Sequence, residues 1–247
     1  MNIEASIIDQ RLTSIVNDIR QPAFEQLRIE EPQRLKSPAF VYLCVKTVLD
    51  LEADETFDCL TEGGGDFGVD AIHISEEYDG EFIVCLFQAK YKHKDLGGDS
   101  NYPETGIDSL IRVIRLLFDP AAQLQHINPR LLAKVEEARS LIRDGFIPQV
   151  RSIACNNGIK WNTAAEEAIA RASFGEQVTW EHVNHASLVK ILQASKPVTK
   201  FTYNALQTGD FQVKVENLQI INGGQTCMTI FQTLQQLTIF PNEAFVL

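Results

Sequence analysis

A glycine-rich acidic turn followed by two closely spaced strands is the feature that most constrains the fold of this chain. Residues 62–70 hold four glycines and three carboxylates within nine positions. Residues 71–74 and 81–91 have the apolar character of strands. Between these two segments, Asp79-Gly80 is a strong signal for a tight hairpin turn. The sequence therefore predicts a β-hairpin whose open end carries Asp70.

The predicted hairpin brings three chemically useful side chains together. Residues equidistant from the turn face each other, so Asp70 is expected opposite residues 88–90. Gln88 and Lys90 are two positions apart on a strand and share one face. Asp70 and the Gln88 side-chain oxygen suit a hard divalent cation, Mg²⁺ or Mn²⁺, with the Ala89 carbonyl as a third ligand. Lys90 would then orient the attacking water or offset the charge that develops on a phosphate.

The rest of the chain predicts an α/β fold with a mixed central sheet flanked by helices. Helices are predicted over 3–19, 38–51, 106–118, 129–144, 162–173 and 185–194, and further strands over 147–154 and 178–180. After residue 196 the pattern changes to short strands at 201–203, 211–215 and 218–221, followed by a helix at 228–237. We therefore expect two domains, 1–196 and 197–247.

Composition limits the classes of protein that the chain can belong to. No apolar run approaches the roughly 18 residues of a membrane span, and the acidic start does not resemble a signal peptide, so we expect a cytoplasmic protein. The five cysteines are dispersed and no CxxC pair occurs, which favours reduced thiols over disulfides or zinc.

The net charge of −11 argues against a nucleic-acid partner, because neutralisation of phosphates supplies much of such affinity. Charge can nevertheless be local. Lys90, Lys92, His93 and Lys94 form a compact basic segment within the acidic chain. A DNA partner is therefore compatible with the sequence.

Two motifs of the hairpin resemble a nuclease family. Residues 65–72 (GDFGVDAI) and 87–91 (FQAKY) resemble the Mrr-like branch of the PD-(D/E)XK nucleases, in which Gln replaces the usual Glu of the second motif. The resemblance implies a restriction endonuclease-like fold over 1–196. It also implies Mg²⁺-dependent hydrolysis of DNA in restriction or phage defence, with Asp70, Gln88 and Lys90 as catalytic residues. A homodimer would be expected, since cutting both strands needs two sites.

A third motif resembles a family of phage-defence proteins. Residues 220–226 (IINGGQT) are similar to a segment of the abortive-infection phage-resistance (AIPR) proteins, whose N-terminal regions also resemble the hairpin motifs. The chain is short beside such proteins, so 197–247 is expected to be a partial AIPR-like segment. Many relatives place an acidic residue on the helix before the first motif, whereas residues 36–40 (KSPAF) contain none. Glu62 is the nearest substitute and is predicted as a further metal ligand.

Other interpretations of these motifs remain open. A degenerate nuclease fold could serve as a nucleic-acid-binding or protein-interaction module, and the site chemistry does not distinguish DNA from RNA. Asp66 is expected to bond backbone donors within the glycine-rich turn. Residues 222–226 could bind phosphate at the start of a helix, but they lack the Lys of a P-loop, so a structural turn is the preferred interpretation.

Overall fold

The structure, a computed structural model, describes residues 2–62, 65–92, 99–119, 121–122, 126–194, 201–209 and 212–220. The chain divides into two compact units, Met1–Val189 and Lys190–Leu247. His93, Lys94, the segment 222–226 and the helix predicted over 228–237 lie outside the described residues.

The described residues alternate between helices and strands. The helices are α1 (Ile3–Leu27), α2 (Lys36–Leu49), α3 (Ala53–Asp58), α4 (Glu104–Phe118), α5 (Pro129–Arg143), α6 (Thr163–Ala172) and α7 (His185–Ala194), with a 3-10 turn (Pro32–Leu35) before α2. The strands are β1 (Ala71–Ile74), β2 (Glu81–Lys90), β3 (Ile147–Asn156), β4 (Val178–Asn184), β5 (Phe201–Gly209) and β6 (Gln212–Ile220).

The central sheet of the first unit has four strands in the order β1-β2-β3-β4. β1 runs antiparallel to β2, whereas β3 and β4 run parallel to β2. The prediction of an α/β fold with a mixed sheet flanked by helices is confirmed. Lys90 is aligned with Asn156, which is aligned with Asn184, so the carboxyl ends of three strands meet at one edge. Ligands commonly bind at this edge of α/β sheets.

Helices cover both faces of the central sheet. Alternate β2 residues Phe82, Val84 and Leu86 belong to a buried apolar cluster with α4, α5 and α6. α2 packs against β2, and its Cys44 thiol contacts Cys155, whose position in β3 faces away from that cluster. The hairpin is therefore held between two helical layers, which fix the positions of its side chains.

The helices differ most from the prediction at the end of α1 and after α2. α1 was expected to end at residue 19, but it continues through Pro22 to Leu27, because buried Ala23 and Leu27 extend its apolar face. Its backbone ends in the left-handed conformation at Arg28. The acidic stretch after α2 forms the separate helix α3, since Asp50 adopts a left-handed conformation and Glu52 begins a capping box.

The second unit contains an antiparallel pair, β5 and β6. The sequence predicted short strands at 211–215 and 218–221, whereas the structure has one strand over Gln212–Ile220. Within the described parts of the chain, no helix is long and apolar enough to cross a membrane.

Candidate functional site

A tight turn joins the two strands of the site, and the pairing shifts by one residue between this turn and β1. Asp79 and Gly80 both have positive φ, 52° and 80°, as a two-residue turn with the twist of the strands requires. Tyr78 and Glu81 exchange backbone hydrogen bonds of 2.9 and 3.0 Å across it. Ala71 is aligned with Phe87, so Asp70 comes next to Gln88. The hairpin and its register agree with the sequence prediction.

The Asp70 carboxylate lies against the backbone of β2. Its Oδ2 accepts a 2.7 Å hydrogen bond from the Ala89 N–H and a longer one, 3.4 Å, from Gln88 Nε2. The N–H and C=O groups of one strand residue leave the strand on the same side, so the Ala89 carbonyl also faces Asp70. Three of the predicted metal-site residues are therefore neighbours.

Gln88 is fully buried at the carboxyl end of β2. Its Oε1 has no hydrogen-bond partner among the described residues. A buried amide oxygen without a partner costs free energy. The amide nitrogen, however, is the atom that faces Asp70.

Glu62 is held close to Asp70 by the residue that precedes it. The Thr61 N–H donates to the Asp70 carbonyl at 2.9 Å, and the Thr61 hydroxyl donates to the Val69 carbonyl at 2.7 Å. The Ser37 hydroxyl on α2 hydrogen-bonds to the Glu62 carboxylate, whose Oε2 is buried and has no partner in the described part of the chain. Glu62 therefore lies between α2 and the hairpin, close to Asp70.

Arg130 of α5 fixes the chain that leads into Glu62. Its guanidinium donates to the Leu60 carbonyl at 2.6 Å and to the Phe57 carbonyl at 2.8 Å. It also lies over the Phe57 ring, 5.6 Å from the ring centroid. This contact spans about seventy residues of sequence, and it orients the segment from α3 to the site.

Burial makes ionisation of the Asp70 and Glu62 carboxyl groups less favourable and so raises both pKa values. Desolvation raises the pKa of Asp70 to about 7, against the lowering effects of the Ala89 N–H and Lys90. Desolvation, followed by the negative charge of Asp70, raises the pKa of Glu62 to about 8. A divalent cation between them would favour both ionised forms, so the electrostatics fit a cation site.

Lys90 is exposed at the end of β2 and shares the face of Gln88 by strand alternation. Its positive charge lowers the pKa of both Asp70 and Glu62, so its ammonium group is within electrostatic reach of both carboxyl groups. Lys90 thus has the exposure needed to meet a substrate and the proximity needed to act at the site.

Asp66 acts within the glycine-rich turn, as predicted. Its Oδ1 accepts a 2.8 Å hydrogen bond from the Gly68 N–H, and its carbonyl accepts one of 3.0 Å from the Val69 N–H. Phe67 adopts a positive φ of 55° inside the turn. Asp66 therefore shapes the approach to Asp70.

Sequence reasoning missed a contact from α1 to the site. Asp9 accepts a hydrogen bond from the Tyr91 hydroxyl and pairs with Lys36 at 2.8 Å. The Tyr91 ring packs on Phe40, with ring centroids 5.0 Å apart. These contacts anchor the residue after Lys90 to α1 and α2. No local pattern could have revealed them, because Asp9 and Tyr91 are far apart in sequence.

The donor set fits a magnesium-type ion only in part. Asp70, Glu62 and the Ala89 carbonyl offer the oxygen ligands that Mg²⁺ prefers, and water completes such sites. Within the described residues, no group of three or more His, Cys, Asp or Glu side chains could hold a metal. Gln88 would supply the missing side-chain oxygen only if its amide turned to direct Oε1 toward Asp70.

A family model matches the C-terminal part of the chain. Residues 191–247 match the family model described as AIPR protein. The chain is therefore similar to AIPR proteins over this segment, which contains the IINGGQT motif and supports a relationship to that family. No curated protein and no solved structure matches the chain.

Proposed function

We propose that this protein is a divalent-metal-dependent nuclease of the PD-(D/E)XK type that hydrolyses DNA phosphodiester bonds. The observation that carries the proposal is the convergence of Asp70, Gln88 and Glu62 beside the Ala89 backbone, with exposed Lys90 two residues after Gln88. The hairpin motifs resemble those of the Mrr-like nucleases. The AIPR match supports phage defence as the biological setting, with the invading DNA met in the cytoplasm.

Each residue has a distinct role in the proposed reaction. Asp70 and Glu62 would hold Mg²⁺ or Mn²⁺ with the Ala89 carbonyl and Gln88 Oε1. When bound, the cation supplies a positive charge that activates water and offsets charge on the phosphate. Lys90 orients the attacking water by hydrogen bonding and stabilises the phosphate oxygens electrostatically. A homodimer would place two such sites on a duplex.

A cleavage assay with Lys90→Ala tests the proposal. Wild-type protein with Mg²⁺ or Mn²⁺ is expected to nick plasmid DNA, and Lys90→Ala to reduce the rate by roughly 10²-fold or more. The variant should still bind Mn²⁺, because Lys90 is not a ligand. Lys134→Ala removes a cation from α5 and serves as the matched control, with unchanged cleavage. Equal cleavage by wild type and Lys90→Ala would mean a contaminating nuclease and would refute the assignment.

The same assay compares nucleic acids. Structured RNA is incubated beside plasmid DNA under identical conditions, because the site chemistry acts on either phosphodiester backbone. We expect DNA to be cut. If only RNA is cleaved, the protein is a ribonuclease that uses the same residues, and the proposal of DNA as the substrate is wrong.

A non-catalytic nuclease-like module is the second candidate function. It is favoured by the net charge of −11. It is also favoured because, among the described residues, no three His, Cys, Asp or Glu side chains lie close enough together to hold a metal. Such a module would bind nucleic acid or a protein without cutting. Titration with Mn²⁺ separates the candidates: no binding, or binding unchanged by Asp70→Ala, favours the module.

A further inference from the structure

The oxygen of the Gln88 amide is enclosed by two residues that the proposed reaction does not use. A Cβ at Gly106, in the first turn of α4, would lie 2.4 Å from Gln88 Oε1 and 2.5 Å from the Tyr102 hydroxyl oxygen. Oε1 and the Tyr102 hydroxyl oxygen therefore both border the space at Gly106, which a side chain there would fill, and they are not hydrogen-bonded to each other. Tyr102 is itself 1% exposed.

The present orientation of this amide is wrong for holding a hard cation. Gln88 Nε2 faces Asp70 Oδ2 at 3.4 Å, whereas Oε1 faces α4 without a partner among the described residues. Mg²⁺ and Mn²⁺ take oxygen ligands, and an amide NH₂ group cannot coordinate them. Rotation of the amide by half a turn would direct Oε1 toward Asp70 and the NH₂ group toward Tyr102.

Tyr102 can accept the NH₂ group in that second orientation. Its hydroxyl donates its one proton to the Gln88 backbone carbonyl at 3.1 Å. A phenolic oxygen retains acceptor capacity when its proton is used. The turned NH₂ group would therefore face an oxygen that can accept it, and a small approach of the two groups would form the hydrogen bond that Oε1 now lacks.

We propose that Tyr102 and Gly106 are positioning residues that make Gln88 an oxygen ligand. On cation binding, the Gln88 amide turns, Oε1 joins Asp70, and the NH₂ group donates to the Tyr102 hydroxyl in the space that Gly106 leaves. This inference rests on the proposed metal site. It explains why a neutral amide can serve at a position where most related nucleases carry a carboxylate.

Tyr102→Phe tests whether the Tyr102 hydroxyl accepts a hydrogen bond from the turned Gln88 NH₂ group. Mn²⁺ affinity, measured by calorimetry on the full chain, is expected to fall about fivefold to tenfold, because the turned NH₂ group loses one hydrogen bond. Tyr42→Phe removes a hydroxyl from a buried tyrosine of α2 and is the matched control, with unchanged affinity. Equal affinity of wild type and Tyr102→Phe overturns the proposal.

Gly106→Ala tests whether the turned Gln88 amide needs the space beside Gly106. Alanine is the better helix former, but its Cβ would occupy the position between the amide and the Tyr102 hydroxyl. Mn²⁺ affinity is expected to fall at least tenfold, while Thr105→Ala on the same turn leaves it unchanged. If Gly106→Ala does not fold, Tyr102→Phe alone decides. Wild-type affinity in a folded Gly106→Ala protein overturns the proposal.

The nuclear magnetic resonance signals of the Gln88 NH₂ group test the positioning role separately. If Tyr102 only stabilised the fold, the Tyr102→Phe substitution would not change how Mg²⁺ shifts these signals. The Gln88 NH₂ signals are identified by their loss in Gln88→Glu, and Mg²⁺ should shift them in wild type far more than in Tyr102→Phe. If wild type binds Mn²⁺ through Asp70 but these shifts are equal, only the positioning role fails. If wild type binds no Mn²⁺, the proposed function fails together with it.

Discussion

Asp70→Asn is expected to abolish both cation binding and cleavage. The substitution keeps an oxygen that can accept the Ala89 N–H, so the hairpin should be preserved. It removes the negative charge that a divalent cation needs at the centre of the site. We expect Mn²⁺ affinity to fall by about 100-fold or more and the rate of DNA cleavage by roughly 10³-fold.

The control for this prediction is Asp79→Asn. It makes the same chemical change in the same hairpin, at a turn position that asparagine also tolerates with positive φ. Affinity and cleavage should match wild type. Calorimetry for Mn²⁺ and a plasmid assay check both variants, and an Asp70→Asn protein that binds Mn²⁺ normally would refute Asp70 as a ligand.

The second large effect is a loss of stability with rising pH in the cation-free protein. The pKa values of Asp70 and Glu62 in the folded state, about 7 and about 8, are raised above their ordinary values of 3.8 and 4.5. The folded state therefore binds these protons more tightly than the unfolded state. Their contribution to stability is complete below about pH 4, declines as pH rises, and is lost above pH 7 to 8. For Asp70 alone the loss is on the order of 4 kcal/mol.

Comparison of wild type with Asp70→Asn isolates this effect from the other acidic groups. Chemical denaturation with a chelator present should find that Asp70→Asn gains stability over wild type as the pH rises from 5 to 8. Added Mn²⁺ should stabilise wild type most at pH 8, where both carboxyl groups are ionised. A constant difference in the free energy of unfolding between the two proteins across this range would contradict the raised pKa of Asp70.

A neutral residue at position 88 has a physical reason in this site. The negative charge of Asp70 already makes ionisation of Glu62 less favourable, because it contributes to the raised pKa of Glu62. A carboxylate in place of fully buried Gln88 would add a third negative charge in the same low-dielectric region. An amide supplies an oxygen without that charge.

The parts of the site that the sequence predicted are those fixed by local rules. The turn at Asp79-Gly80 and the alternation of strand residues placed Asp70 opposite residues 88–90, and a one-residue shift in pairing beyond the turn selects Gln88. The α/β class followed from alternating patterns along the chain. Asp66 in the turn was predictable because a short acid beside glycines commonly bonds the backbone.

The parts that the sequence did not reveal depend on contacts between distant segments. The pairing of Asp9 with Tyr91 and Lys36 requires α1 and α2 to pack beside the end of β2. The surroundings of the Gln88 amide include Gly106 of α4, which follows it by eighteen residues and lies in a separate element. The length of α1 depended on burial of Leu27, which outweighed the cost of a proline within the helix.

A crystal structure of the protein soaked with Mn²⁺ tests the central claim most directly. Anomalous difference density should identify one ion between Asp70 and Gln88, with metal–oxygen distances of roughly 2.0–2.3 Å. Glu62 and the Ala89 carbonyl should complete its protein ligands. Density at another place, or none at a concentration of Mn²⁺ that supports cleavage, would contradict the assignment of these residues to a nuclease-type metal site.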